Sequence, residues 1–260
     1  WFWWAVCFDG VYRTFKKTPS FLASVVHFTP LLFGDHLLSS SMLMPQNIDD
    51  IHAIVVWLHG MGEEPMTMLD VAMTSRLCEM GVGSVALKAP MQHFSRITGE
   101  VVDAWFDQEI DHLEVSGGAE VEDAAGRVDD YINFLIKKTG NVRIVVAGFS
   151  QGAALALFEL VRHPDKFLGA LLYSPYKIGD NLFFPRHDFK QRQPTDLVKP
   201  RVWIGYGLND WVIPARWSYS LATELRNSGF SVVTRHYLGG HVPFSGAQED
   251  IRNFLRSLLL

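Results

Sequence analysis

Cysteine is scarce in this sequence, which contains only Cys7 and Cys78 among 260 residues. A disulfide framework therefore does not hold the fold together, and this cysteine usage fits a reducing compartment. Basic residues are not in excess either, because 23 lysines and arginines stand against 28 acidic residues and leave a net charge of −5. A nucleic-acid-binding protein needs a basic surface to displace counterions from phosphates, so no nucleic-acid partner is expected.

The apolar run that opens the chain is too short to cross a membrane. Trp1–Phe8 contains three tryptophans, but Asp9 ends it far short of the roughly 20 residues that a spanning helix needs. It lacks the features of a signal peptide. It is either an extension that packs on the domain or an interfacial anchor supported by Arg13, Lys16 and Lys17. Because the chain begins at Trp1 rather than Met, we expect that further residues preceded it.

Strand and helix patterns alternate along most of the chain. With 48% hydrophobic and 20% charged residues, the chain is apolar enough to fold around a core. Short β-branched runs predict strands at Ala53–Leu58, Ser84–Leu87, Val142–Ala147, Gly169–Tyr173, Arg201–Tyr206 and Ser231–His236. Helical spacing predicts helices at Thr67–Met80, Glu120–Lys138, Gln151–Arg162, Pro214–Asn227 and Ala247–Leu258. This alternation predicts an α/β fold with a mostly parallel sheet and helices on both faces.

We expect one domain over residues 1–260, with residues 1–20 as a candidate N-terminal extension. Phe21–Phe28 and His36–Met44 are predicted strands without an intervening helix, which favours an antiparallel edge. Residues 175–200 form a long polar insertion between two strands, and such insertions are usually functional or mobile.

A serine between glycines lies where a strand pattern meets a helix pattern. The segment is Gly148-Phe149-Ser150-Gln151-Gly152. It follows a strong strand pattern and precedes a helix pattern rich in alanine. A sharp strand-to-helix turn exposes the serine hydroxyl and crowds its neighbours, so small residues are needed two positions on either side. This context predicts that Ser150 is a nucleophile rather than part of an ordinary turn.

A serine nucleophile needs a histidine base and a carboxylate that orients it, here in the chain order Ser, acid, His. His241 follows the last strand in a glycine-flanked loop, and we predict that it is the base. His236 lies within that strand and is interpreted as a packed or surface residue. Asp210 follows a strong strand, where open parallel sheets place site residues, and is the predicted acid. The remaining candidates are His163 and His187 for the base and Asp165, Asp180, Asp188 and Asp196 for the acid.

The oxyanion donors should include the backbone N–H of Gln151, which follows the nucleophile. A second N–H should come from the loop after an early strand. That loop is supplied by the segment Trp57-Leu58-His59-Gly60-Met61-Gly62. Its glycines allow the backbone to approach a substrate closely.

From about residue 53 onward the sequence resembles the acyl-protein thioesterase, carboxylesterase and lysophospholipase family of α/β-hydrolases. The similar segments are WLHGMGE at 57–63, Trp105-Phe106-Asp107, GFSQG at 148–152, the Asp210 loop and Gly239-Gly240-His241. The resemblance implies the α/β-hydrolase fold, an oxyanion N–H from Met61, a position for Trp105 beside the acyl site, and fatty acyl substrates on protein cysteines or lysophospholipids. Trp105 is interpreted as a packing and wall residue rather than a catalyst.

The sequence departs from this family at three places. At one position the family commonly has a Trp-Leu-Pro-type run that lines the pocket, and this sequence has Pro175-Tyr176-Lys177 instead. Tyr176 is therefore a candidate substrate-binding residue. The insertion that follows is longer than usual, and the first fifty residues have no counterpart. Substrate choice depends on these parts.

No metal or other cofactor is expected, because His93 and His112 lack ligand spacing to a second residue. The acidic run Asp107, Glu109, Asp111 and Glu114 is interpreted as a solvated loop. The hypothesis is therefore a cytoplasmic serine hydrolase of acyl esters or thioesters, including lipidated proteins, with transient membrane-surface contact as a further expectation. A short-chain carboxylesterase and a non-catalytic ligand-binding protein remain alternatives.

Overall fold

The computed structural model describes residues 23–28, 38–95, 99–108, 118–140, 142–178 and 199–260. The strands are β1 (Ala23–Phe28), β2 (Ser40–Pro45), β3 (Ala53–Leu58), β4 (Val82–Leu87), β5 (Met91–Ser95), β6 (Glu100–Ala104), β7 (Arg143–Phe149), β8 (Phe167–Tyr173), β9 (Arg201–Gly207) and β10 (Ser231–Tyr237). The helices are α1 (Pro65–Thr74), α2 (Ala119–Thr139), α3 (Gln151–Arg162), α4 (Ala215–Asn227) and α5 (Gln248–Leu259).

Eight strands form one sheet in the order β1-β2-β4-β3-β7-β8-β9-β10. From β4 to β10 every neighbouring pair is parallel, whereas β2 is antiparallel to both β1 and β4. This arrangement confirms the predicted α/β-hydrolase fold and the antiparallel pairing at the N-terminal edge. Parallel strands end at the same edge of a sheet, so the loops after β3, β7 and β9 meet there.

The sheet separates two hydrophobic cores because alternate residues of each strand point to opposite faces. Ile54, Val56 and Leu58 of β3 belong to the core that α2, α3 and α4 cover, while Val55 and Trp57 belong to the core under α1 and α5. All six residues of β3 are buried. A strand buried on both faces reads as a continuous apolar run, which is why the sequence pattern identified it.

The predicted helix over Thr67–Met80 is wrong as a single element. The α-helix ends at Thr74, Arg76 adopts a left-handed conformation with φ 54°, and Leu77–Met80 form a separate 3-10 helix. The hydroxyl of Thr74 donates to the carbonyl oxygens of Asp70 and Val71, and its local bonding competes with helix continuation. Leu77 of the 3-10 helix is buried, and Cys78 and Met80 are half-buried, so apolar spacing alone did not show the break.

Strands β5 and β6 form a separate two-stranded antiparallel ribbon that the sequence pattern did not predict. Their residues are mostly exposed or half-buried, so they lack the clear apolar alternation of a core strand. Phe94 and Val101, which are register partners in the ribbon, are both exposed.

Several expectations fall outside the described residues. These are the extension or anchor at residues 1–20, most of the insertion at 175–200, and the side chains of His112, Glu109, Asp111, Glu114, His187, Asp180, Asp188 and Asp196. Among the described helices, none combines the length and apolar character needed to cross a bilayer.

Glu159 of α3 is a buried acid inside the core that α2 and α3 share. Only 1% of the residue is exposed, and one of its carboxylate oxygens has no hydrogen-bond partner among the described residues. Burial, with a smaller contribution from the neighbouring charge of Asp129, raises the pKa of Glu159 to about 8. The folded protein therefore keeps a proton on Glu159 at neutral pH.

This proton makes stability depend on pH. The unfolded chain releases it near 4.5, the ordinary pKa of a glutamate side chain, and the folded chain releases it near 8. Glu159 therefore progressively destabilises the fold as pH rises through that window. We expect Glu159→Gln to stabilise the protein at pH 8 by about 1–3 kcal/mol and to have little effect at pH 4.5. Urea unfolding at both pH values tests this, and an equal effect of the substitution at the two pH values would contradict it.

Candidate active site

Ser150 lies in a strained turn between β7 and α3. Its backbone has φ 52° and ψ −118°, a conformation that costs roughly 1–3 kcal/mol for a residue with a side chain. A Cβ atom on Gly148 would lie 2.4 Å from the carbonyl oxygen of Gly152, and one on Gly152 would lie 2.1 Å from that of Leu58. The two glycines therefore let the turn close tightly and let the start of α3 contact the end of β3.

Ser150, His241 and Asp210 form a connected chain of hydrogen bonds. His241 Nε2 is 3.0 Å from Ser150 Oγ, and His241 Nδ1 is 2.8 Å from Asp210 Oδ2. An ionised carboxylate only accepts hydrogen bonds, so His241 Nδ1 carries a proton and Nε2 is left to accept the proton of the serine hydroxyl. The structure thus brings together the three residues that the sequence placed in three separate loops.

Asp210 is held as a carboxylate by four hydrogen bonds. Its Oδ2 accepts bonds from His241 and from the hydroxyl of Ser174, both at 2.8 Å, while Oδ1 accepts the amides of Val212 and Ile213. Burial acts to raise the pKa of Asp210, but the hydrogen bond and positive potential of His241, with the bonds from Ile213 and Ser174, outweigh it and lower that pKa. Asp210 therefore stays ionised and fixes the tautomer of His241.

The loops that carry Asp210 and His241 are joined through their backbones. The amide of Asn209 donates to the carbonyl oxygen of Gly239 at 3.0 Å, and a Cβ atom on Gly207 would lie 2.5 Å from that same oxygen. The ring of Phe149 lies 4.6 Å from the ring of His241, centroid to centroid. Phe149, which precedes Ser150, thus also supports His241.

The loop after β3 is pinned on both sides of Met61. The amide of Gly60 donates to Glu63 Oε2 at 3.1 Å, and the amide of Gly62 donates to the carbonyl oxygen of Asp103 at 2.8 Å. Within the described ranges, the amide of Met61 donates to no protein acceptor. It is therefore available to a ligand.

The amide of Gln151 is the second available donor. Gln151 is the first residue of α3, so its N–H has no acceptor within the helix. Because Gly152 contacts the carbonyl groups at the end of β3, the loop of Met61 and the N-terminus of α3 lie side by side. A helix N-terminus also favours negative charge, so this region suits a developing oxyanion.

His59 anchors the same loop from the protein interior. Its Nε2 accepts the amide of Ala89 at 3.1 Å, which requires Nδ1 to carry the proton donated to the carbonyl oxygen of Gly60. The residue is fully buried, and burial lowers the pKa of His59. The imidazole is therefore neutral and serves as a fixed link between two strand ends.

Trp105 and Tyr176, the predicted substrate-binding residues, are both buried. The indole N–H of Trp105 donates to the carbonyl oxygen of His59 at 2.8 Å, and its amide donates to the side chain of Gln151 at 2.9 Å. Tyr176 donates its hydroxyl proton to Gln108. Trp105 thus links His59, in the loop of Met61, to Gln151, whereas the hydroxyl of Tyr176 bonds Gln108, three residues after Trp105. Their contact with substrate stays a prediction.

Two residues of the site were not singled out in the sequence. Ser174 follows β8 as Ser150 follows β7, and its buried hydroxyl supports Asp210 from a left-handed backbone with φ 48°. Its position at the carboxyl end of a parallel strand is a signal that could have identified it. Glu63 lies directly after the Gly60–Gly62 segment, but no sequence pattern shows that its side chain turns back to Gly60.

Other candidate residues form contacts apart from the triad. His93 Nδ1 is paired with Asp107 at 2.7 Å, and Asp107 is exposed as expected. One group in the described part of the chain, Asp129, Glu159 and His163, places three potential metal-ligand atoms within 4.8 Å of one another. The ammonium group of Lys166 already bonds Asp129 at 2.5 Å, so a cation is in place beside this carboxylate.

The fold and this geometry agree with the comparison with known families. The phospholipase/carboxylesterase family model matches residues 44–259, which is most of the chain. The chain belongs to the phospholipase/carboxylesterase family. The resemblance seen in the motifs of the sequence is thereby confirmed.

Named relatives in this family include esterases and thioesterases. An acyl-protein thioesterase 1 from Aspergillus fumigatus is 27% identical over 224 residues, covering 80% of this chain and 88% of that protein. The crystal structure of Zea mays acyl-protein thioesterase 2 has a TM-score of 0.63 at 20% identity and covers 85% of this chain and 99% of that one. The crystal structure of esterase PE8 has a TM-score of 0.66 at 22% identity and covers 85% of this chain and 99% of that one. These two structures share the fold.

The tight contact at Gly152 predicts a difference between two helical glycines. Gly152→Ala places a methyl group against the backbone of β3, so we expect a loss of about 1–3 kcal/mol in the free energy of unfolding and a lower kcat. Gly126→Ala in α2 is the matched control, because a Cβ there meets nothing within 4 Å and alanine favours a helix. Thermal unfolding and ester hydrolysis measure both. Equal behaviour of the two variants would contradict the close-contact argument.

Proposed function

We propose that this member of the phospholipase/carboxylesterase family is a serine hydrolase that cleaves carboxylic esters or thioesters through an acyl-enzyme. The observation that carries the proposal is the hydrogen-bonded chain Ser150–His241–Asp210, with 3.0 Å and 2.8 Å between successive partners. A serine hydroxyl is a weak nucleophile until a positioned imidazole accepts its proton, and the position of His241 Nε2 beside Ser150 Oγ supports that role.

In the proposed reaction, Ser150 Oγ attacks the acyl carbon while His241 Nε2 takes the hydroxyl proton. The amides of Met61 and Gln151 bind the oxyanion, and Asp210 stabilises the imidazolium. The bond to the leaving alcohol or thiol then breaks, and His241 passes its proton to that group. A water molecule, deprotonated by His241, then attacks the acyl carbon of the acyl-enzyme. The bond from that carbon to Ser150 Oγ breaks, His241 returns the proton to Oγ, and the acid is released.

For the substrate we propose fatty acyl groups carried by lipidated proteins or lysophospholipids, with Trp105 and Tyr176 near the acyl chain. The names of relatives support this class, since one is an acyl-protein thioesterase. Large apolar side chains are also exposed in the loops that carry the acid and the base: Leu208, Trp211, Leu238 and Val242. Grouped exposed apolar residues commonly mark contacts with apolar ligands or surfaces, so they also support a transient membrane contact.

We also propose a cytoplasmic location. Its support is the free thiol of Cys78, which is half-buried and has no disulfide partner among the described residues. Burial raises the pKa of Cys78 to about 12, so the thiol is unreactive and fits a structural role.

The proposal predicts that Ser150→Ala abolishes turnover while the fold is retained. We expect kcat for p-nitrophenyl esters to fall at least about a thousandfold, because removal of the nucleophile ends the acyl-enzyme route. Ser231→Ala, at an exposed strand residue, is the control and should match the wild type. Circular dichroism checks that each variant is folded. Equal turnover in Ser150→Ala would refute the serine mechanism.

The acyl-chain profile from acetyl to palmitoyl esters tests the substrate class. Serine-dependent turnover that favours long chains, followed by cleavage of a palmitoyl-peptide thioester, is the expected result. Turnover confined to short chains would instead indicate a general carboxylesterase. Absence of serine-dependent turnover at every length would favour a ligand-binding protein.

A further inference from the structure

Glu63 closes a tight turn with Gly60 through two hydrogen bonds. The amide of Gly60 donates to Glu63 Oε2, and the amide of Glu63 donates to the carbonyl oxygen of Gly60, each at 3.1 Å. That carbonyl oxygen also accepts the Nδ1 proton of His59 at 2.8 Å. Glu63 therefore clamps one end of the loop that contains Met61 by a side chain as well as by the backbone.

The clamp acts where the loop meets the nucleophile turn. A Cβ atom on Gly60 would lie 2.9 Å from the ring of Phe149, the residue before Ser150. In the described part of the chain, Glu63 is the acceptor of the Gly60 amide, so removing it leaves a half-buried donor unpaired. A peptide plane that turns to find another acceptor would move the adjoining amide of Met61, and oxyanion donors must be placed within a few tenths of an ångström to act.

We propose that Glu63 is a positioning residue, whose side-chain oxygen holds the Gly60–Gly62 loop so that the Met61 amide faces the substrate oxyanion. This inference rests on the proposed function, because it assigns a role within the same serine-hydrolase site.

The acceptor is present in both protonation states of Glu63. Burial raises the pKa of Glu63 to about 7, although the hydrogen bond from Gly60 and the positive potential of His241 act to lower it. Among the described residues, His241 is the titratable group whose charge acts on Glu63. A carboxyl group keeps an accepting oxygen when it is protonated, so a neutral amide of the same length should replace it.

Four variants distinguish the effect of the accepting oxygen of Glu63 from the effects of side-chain size and charge. Glu63→Ala removes the acceptor and the volume, Glu63→Met removes the acceptor at nearly constant length, and Glu63→Gln keeps an accepting oxygen without the charge. Glu64→Ala is the matched control, because Glu64 is the neighbouring acid, is exposed, and makes no side-chain bond that caps α1. Glu63→Met decides the question if Glu63→Ala does not fold.

The readouts are kcat and KM for a p-nitrophenyl ester and the Ki of a trifluoromethyl ketone. Ser150 Oγ forms a bond to the ketone carbon, its proton passes to His241, and the ketone oxygen becomes the bound oxyanion. We expect Glu63→Ala and Glu63→Met to lower kcat about tenfold and to raise Ki by the same factor, with KM within about twofold of the wild type. Glu63→Gln and Glu64→Ala should stay within about threefold of the wild type.

Two results would overturn the proposal. Wild-type kcat and Ki in Glu63→Met would show that the acceptor is not needed, and an equal loss in Glu63→Gln would show that the charge matters rather than the acceptor. Failure of the proposed function itself looks different, because the wild-type protein would then neither hydrolyse the esters nor bind the ketone through Ser150.

Discussion

The close contact between the backbones of β3 and α3 is the constraint on which the site depends. Gly152 lies so near the carbonyl groups of Leu58 and His59 that a Cβ atom there would overlap them. This contact sets the turn of Ser150 against the loop that carries the amide of Met61. The strained backbone of Ser150 persists because the buried strand before it and the buried helix after it fix both ends of the turn.

The polar groups behind the triad follow from the same geometry. Asp210, Ser174 and His241 come from loops after three different strands, and each is placed by backbone contacts at the carboxyl edge of the sheet. Four donors meet the buried carboxylate, so its desolvation is compensated and it remains charged. A charged Asp210 in turn keeps His241 in the tautomer that can accept the proton of Ser150.

The sequence allowed prediction where the structure requires a particular type of residue at a particular position. Such a requirement underlies the glycines at 148 and 152 and the apolar runs in the central strands, so the fold could be predicted. The chain order of Ser150, Asp210 and His241 led us to expect these residues at one site, and they lie within hydrogen-bond distance of one another. Contacts made by ordinary residue types at a distance could not be predicted. The bonds of Trp105 to His59 and Gln151 join segments 46 residues apart, and apolar periodicity carried no sign of the break at Arg76.

The residues that would perform the chemistry and those that would select the substrate are held in place to different degrees. The proposed oxyanion donors are backbone amides whose positions follow from glycine contacts and from the hydrogen bonds of His59 and Glu63, so we expect changes at the exposed side chains of the rim to leave them in place. Trp211 and Leu238 lie in the loops that carry Asp210 and His241, yet they are 74% and 87% exposed, so packing does not fix their identity. Under the proposed function, substitutions at such rim positions should alter which acyl group binds without disturbing Asp210 and His241, because these two residues are held by their own hydrogen bond and by the backbone bond from Asn209 to Gly239.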